Sequence, residues 1–158
     1  MNGNIILGFV TMAVCTAIQC VVVGVLLDVL FAMERRKLFR PDLIGTTCVL
    51  IAALLFMMTG NLGQVAVWAL LFLLRGEFTD FATAFYHSLV NFTTLGYGDV
   101  VMSERARILG ALEAANGVLM FGLTTSVMFV FLNSQMQREW TARKSTESVS
   151  TDSPDEGR

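Results

Sequence analysis

An all-α membrane protein is the fold class that this sequence predicts, and three observations predict it. The first is apolar length. Ile5 to Phe31, Leu43 to Leu74 and Ile108 to Leu132 are runs with almost no charge, each beyond the roughly 18 residues that mark a membrane-spanning helix. The second is composition: 54% hydrophobic, 15% charged, mean hydropathy +0.64, where an ordinary soluble domain carries about a quarter charged residues. The third is segregation of charge. Arg35, Arg36, Lys37 and Arg40 fill the first gap, Arg138, Arg143, Lys144 and Arg158 follow the last run, and only Arg75, Arg105 and Arg107 lie on the other side. A net charge of −2 gives no electrostatic footprint for nucleic acid.

The elements follow in chain order. Residues 1–33 are an N-terminal transmembrane helix; the run has no basic segment before it and is too long for a cleaved signal. Residues 34–42 are a basic loop, in which Pro41 and Asp42 suit the start of a helix. The second helix, 43–75, comes to about 45–50 Å at 1.5 Å per residue, longer than the hydrocarbon core. Gly60-Asn61-Leu62-Gly63-Gln64 interrupts it. Either one tilted helix passes through, or the helix breaks there. A turn at Gly76 to Asp80 leads to a short helix, 79–92, with Thr79 as its N-cap. A last helix spans 106–134, and residues 135–158, polar and rich in Ser, Thr and acids, are predicted disordered. Eight basic residues against three place the first loop and the C-terminus in the cytoplasm, and the N-terminus outside.

Several chemistries find no support. Cys15, Cys20 and Cys48 sit in apolar stretches at spacings that match no zinc site, and read as small hydrophobes. No nucleophile-base or metal-ligand constellation suggests an enzyme, and no cofactor is implied. Arg35, Arg36 and Lys37 are consecutive rather than repeated along one helix face within the membrane, so they make no voltage sensor.

The most informative segment is Thr93-Thr94-Leu95-Gly96-Tyr97-Gly98-Asp99, which follows the short helix. With the flanking apolar helices it resembles the pore of the tetrameric potassium channel family, whose filters read T-x-G-Y-G-D. The resemblance covers roughly Leu43 to Leu132, within a pore domain of 43–134; residues 1–33 lie outside it. It implies a re-entrant pore helix and filter loop, 93–99, in a homotetramer that passes potassium down its gradient. In the family, the carbonyls at the positions of Thr94, Leu95, Gly96 and Tyr97, with the Thr94 hydroxyl, replace the water shell of the potassium ion. Aiming consecutive carbonyls one way needs alternating backbone handedness, and Gly96 and Gly98 accept φ > 0 freely. Thr93 opens the loop, Tyr97 resembles the aromatic that props the filter from behind, and Asp99 stands at the mouth. Leu95 replaces the usual Val. Keeping Tyr97 favours potassium selectivity.

Other positions carry over with alternatives open. Tyr86 and His87 occupy places where relatives often brace the filter. His87 is either a packed aromatic substitute or a hydrogen-bond donor to Asp99 that makes gating pH-sensitive. Glu113 either bonds behind the filter, to Asn91 or the second helix, or pairs with Arg105 or Arg107. Gly117 and Gly122 match two family glycines, as hinge or as packing sites. Val118, Phe121, Thr125 and Phe129 are expected to line a cavity, with Phe129 and Leu132 as an apolar gate. The partners implied are three further copies of the chain and membrane lipids, and the compact pore suggests a bacterial inner membrane. The rival readings are a nonselective cation channel and a non-conducting membrane subunit.

Overall fold

A computed structural model describes residues 2–35 and 43–151. Every regular element among them is helical: α1 (Asn2–Arg35), α2 (Leu43–Leu74), α3 (Phe81–Phe92) and α4 (Arg107–Thr151). Three of these are long and apolar enough to cross a membrane, over Gly3–Met33, Ile44–Leu74 and Arg107–Gln137. The basic loop of 34–42 lies, from residue 36 onward, outside the described residues.

α2 runs unbroken through Gly60-Asn61-Leu62-Gly63-Gln64, which closes the alternative of a break. The reason is tertiary. A Cβ on Gly60 would sit 2.9 Å from Val22 Cγ1, so this glycine lets α1 approach. Asn61 and Gln64, which lower helix propensity only modestly, turn inward and are buried.

Two boundaries differ from the sequence expectation. The N-cap of α3 is Asp80, not Thr79: Asp80 has extended backbone, and its Oδ1 accepts from the Thr83 amide at 2.8 Å. A carboxylate at this place satisfies an orphan N–H and also faces the positive end of the helix dipole. Those backbone amides hold the Asp80 carboxyl below the usual carboxylate range. The second difference is the tail. Residues 135–151, expected to be disordered, continue α4. Nothing in the sequence stops the helix there, since neither Gly nor Pro occurs between Gly122 and Pro154.

Both α1 and α3 pack on α2 and α4. The larger core cluster gathers Cys15, Val65, Trp68, Phe72, Phe92, Leu109 and Met120 around the end that carries α3. A smaller cluster of Leu26, Ala53, Met57 and Met128 closes the other end. The α1 terminus is tied to the α3 end by Asn4, whose Nδ2 donates to the Arg105 carbonyl at 2.7 Å and whose Oδ1 accepts from Arg75 at 2.8 Å. The outer faces of the three long helices carry exposed Ile6, Phe9, Val21, Ile51, Leu55 and Leu119, an apolar surface that a membrane would cover.

Candidate functional site

α3 is twelve residues long, and its C-terminal carbonyls organise the loop that follows. The Thr94 amide donates to the Asn91 carbonyl at 2.8 Å, and the Leu95 amide to the Val90 carbonyl at 3.0 Å. The Thr93 hydroxyl returns to the Leu89 carbonyl at 2.7 Å. From there every second residue is left-handed: φ is 61° at Thr94, 58° at Gly96 and 75° at Gly98. An alternation of this kind is the backbone pattern that lets successive carbonyls face one side. At the two glycines no Cβ opposes it. At Thr94 the conformation is rare for a β-branched residue, and this handedness was invisible in the sequence. A non-glycine residue held left-handed is a form of stored strain that concentrates at functional sites.

Two polar pairs fasten the loop from outside. The Tyr86 hydroxyl donates to Asp99 Oδ2 at 2.7 Å. This bond holds the Asp99 carboxyl below its usual range and raises the Tyr86 phenol. Of the two readings of His87, the structure has the packed aromatic substitute and not the hydrogen bond to Asp99. His87 instead turns inward between Phe72 and Phe78, ring centroids 5.7 and 4.9 Å away. Its Nδ1 lies 2.8 Å from the Val100 carbonyl, and its Nε2 2.9 Å from Asn91 Nδ2. Both contacts are satisfied by one neutral tautomer, with the proton on Nδ1. Burial pushes the imidazole below its ordinary range. The second pair is Glu77 with Ser103: the carboxylate accepts from the Ser103 amide and hydroxyl, both at 2.9 Å.

Glu113 is fully buried behind α3. Arg105 and Arg107 are not its partners; Arg107 pairs with Glu104 at 3.2 Å. Glu113 instead meets the Ser88 hydroxyl of α3. Ser88 also reaches the Val65 carbonyl of α2 at 2.8 Å. A serine has one hydroxyl proton, and here two acceptors surround it. Ser88 thereby links the Val65 carbonyl of α2 to Glu113 of α4 across α3.

Gly117 and Gly122 of α4 are unlike. A Cβ on Gly117 would overlap the Phe92 carbonyl oxygen and stand 2.8 Å from its carbon, whereas a Cβ on Gly122 meets nothing within 4 Å. Gly117 is thus the contact through which the end of α3 rests on α4. Phe121, expected in the cavity stripe, is half-buried and stacks edge-on against Phe92, centroids 5.7 Å apart. Val118, Gly122, Thr125, Phe129 and Leu132 form an exposed stripe along α4. Leu95 and Tyr97 are 58% and 67% exposed on this single chain.

A short capped helix, a loop of alternating handedness and two flanking spans form a unit from α2 to α4, and a family model described as an ion channel matches residues 43–134. The chain belongs to this ion channel family. It is a multi-pass membrane protein with three helices able to span. No solved structure matches the channel. α1 lies outside the matched residues, yet it supplies Cys15 to the main core of the channel. The roles of Ser88 and Glu77 were missed by sequence reasoning, as was the left-handed backbone of Thr94, a residue otherwise expected in the loop. For Ser88 a signal existed: a hydroxyl on the short helix is the natural partner for an acid in the first turns of the next span.

Proposed function

We propose that the protein is one quarter of a homotetrameric, potassium-selective channel, in which the loop 93–99 is the filter. The observation that carries this reading is the left-handed backbone at Thr94, Gly96 and Gly98, within a T-x-G-Y-G-D sequence and at the C-terminal end of a short helix. Potassium enters as the permeant substrate. Its hydration shell is strongly held, and only a ring of oxygens from several chains replaces it. The carbonyls of Thr94, Leu95, Gly96 and Tyr97 and the Thr94 hydroxyl would supply one chain's share. The α3 dipole, negative toward the loop, favours a cation there. Asp99, held ionised by Tyr86, would add charge at the mouth.

Four-fold assembly suits the exposed groups. Leu95 and Tyr97 have apolar bodies without cover on one chain, and the stripe of Val118, Thr125, Phe129 and Leu132 faces outward. Around a four-fold axis these would pack on neighbouring copies or line a cavity. Phe129 and Leu132 would then form an apolar constriction that gates by dewetting. The excess of basic residues would put the loop after α1 and the end of α4 in the cytoplasm and the filter mouth outside, and a bacterial inner membrane suits the compact pore.

Flux from liposomes holding the purified protein tests this. Potassium flux far above sodium flux, abolished by Gly96→Ala, is the expected outcome. Equal fluxes would replace the proposal with a nonselective cation channel. Absence of flux from protein that is tetrameric, together with conduction only when a second channel protein is added, would make it a non-conducting subunit. Phe129→Ala should raise resting conductance; unchanged conductance would move the gate elsewhere.

A further inference from the structure

A polar strip runs through the middle of the helix bundle, away from the filter loop. On α2 it consists of Asn61, Gln64 and Trp68, which share one face by their spacing. On α4 it is Glu113, Asn116 and Thr124, and on α1 Cys15 and Gln19, one turn apart. All eight side chains are between 0 and 7% exposed. Three largely apolar helices therefore turn these eight side chains toward one another.

Part of the strip is satisfied within the protein. Gln64 Nε2 donates to Gln19 Oε1 at 2.6 Å, Gln19 Nε2 to Thr124 Oγ1 at 3.3 Å, and Thr124 Oγ1 to the Met120 carbonyl at 2.9 Å. The rest is not. Among the described residues, seven buried side-chain atoms have no protein partner: Asn61 Nδ2 and Oδ1, Gln64 Oε1, Trp68 Nε1, Glu113 Oε2, and Asn116 Nδ2 and Oδ1. All seven belong to this strip. Cys15 lies beside Asn116 and Trp68, but a thiol is a weak acceptor. Buried polar atoms are almost always partnered, and lipid offers them nothing.

The chemistry of the seven atoms selects the ligand. Three are N–H donors and four are oxygen acceptors. A cation would satisfy the oxygens and be repelled by the N–H groups; an anion would do the reverse. Water both donates and accepts, and buried water typically bridges two to four such groups. Trp68 and Asn61 are seven residues apart on α2, about 10 Å along the helix, so one molecule does not reach them all.

We propose that this strip is a built water site, in which a short file of ordered water bridges α1, α2 and α4. The file ends on Glu113, whose other oxygen meets Ser88 of α3. Through it α1, which lies outside the family match, is joined to the segment that carries the filter loop. The assignment stands on the bundle's own polar groups and holds whether or not the loop selects potassium.

The chain has two tryptophans, and they make the test internal. Trp68 is fully buried, and Trp140 is 65% exposed. Water-edited solid-state NMR on the full chain in lipid bilayers, with indole and side-chain amide nitrogens labelled, reads transfer of magnetisation from water. Transfer to Trp68 Nε1 at a rate comparable to that of Trp140, and to the Asn61 and Asn116 amides, is expected. Asn116→Leu, which removes two of the seven atoms, should slow transfer to Trp68 at least several-fold. A dry Trp68 when Trp140 is already saturated overturns the proposal. Undiminished Trp68 transfer in Asn116→Leu also overturns it, as does a Trp68 shift that follows replacement of potassium by sodium, which would mean a cation site. If Asn116→Leu does not assemble, Asn61→Leu replaces it, read at Trp68 in the same way.

Discussion

Gly117→Ala and Gly122→Ala add the same methyl group to the same helix, five residues apart, and should have opposite consequences. At Gly117 the new Cβ meets backbone, not a movable side chain: it overlaps the Phe92 carbonyl oxygen and lies 3.1 Å from Phe92 Cα. Relief requires α3 and α4 to part by about 1 Å, which opens the Phe92–Phe121 stack, and overpacking of this kind costs about 1–3 kcal/mol, occasionally more. The helix propensity of Ala over Gly returns at most about 1 kcal/mol. The net change is a destabilisation of roughly 1–2 kcal/mol. It falls on the contact that seats the loop, so the loss of assembly on heating and the loss of flux should move together. Gly122 meets nothing within 4 Å on its own chain, so Gly122→Ala keeps only the propensity gain and should match or exceed the parent. Thermal unfolding followed by circular dichroism, with size-exclusion at each temperature, reads both. If Gly117→Ala is as stable as the parent, or if Gly122→Ala is the more damaging of the two, the packing argument fails and a hinge at these glycines regains its place.

Glu113→Gln keeps a hydrogen-bond partner for Ser88 and should be near neutral, whereas Glu113→Ala leaves a cavity and should cost about 2–3 kcal/mol; thermal unfolding of the two variants compares them. Tyr86→Phe removes the donor that lowers Asp99, so the Asp99 carboxyl should titrate at higher pH in the variant. A depressed carboxylate contributes stability above its unfolded value, near 4, and loses it as pH falls through the native value. Carboxyl-carbon NMR follows that titration, and coincident curves for the two proteins would count against the pair. His87 is depressed by burial, so the native state resists protonation that the unfolded chain accepts below about 6.5. Lowering pH from 7 to 5 should therefore destabilise the parent, and His87→Phe should lose that part of the pH dependence while keeping the ring packing with Phe72 and Phe78.

The spans, the short helix and the loop were legible because each rests on a local signal: apolar length, a cap and turn, and a motif whose glycines permit unusual φ. What the sequence hid is lateral. The long helices are apolar on nearly all sides, so periodicity does not say which face meets which neighbour. That is why Tyr86 rather than His87 reaches Asp99: adjacent residues on a helix point about 100° apart, and the rotation of α3 is set by Phe72 and Phe78. The same reason hid the pairing of Ser88 with Glu113, separated by 25 positions. The left-handed backbone of Thr94 was hidden for a different reason. Nothing local favours a left-handed threonine, and it is imposed by the hydrogen bonds from residues 94 and 95 back to α3. Residues 135–151 extend α4 because no helix stop opposes it there, however polar their composition.

The double hydrogen bond between Glu77 and Ser103 joins two positions 26 apart in the chain, one before α3 and one after the loop. It closes the whole excursion between α2 and α4 into a lariat. A pull that separates the ends of those two helices is borne by this clasp before it reaches the thin backbone of residues 93–99. A clasp at this place would let the loop move with α3 as one piece and spare its alternation of handedness from strain that arises in the long helices.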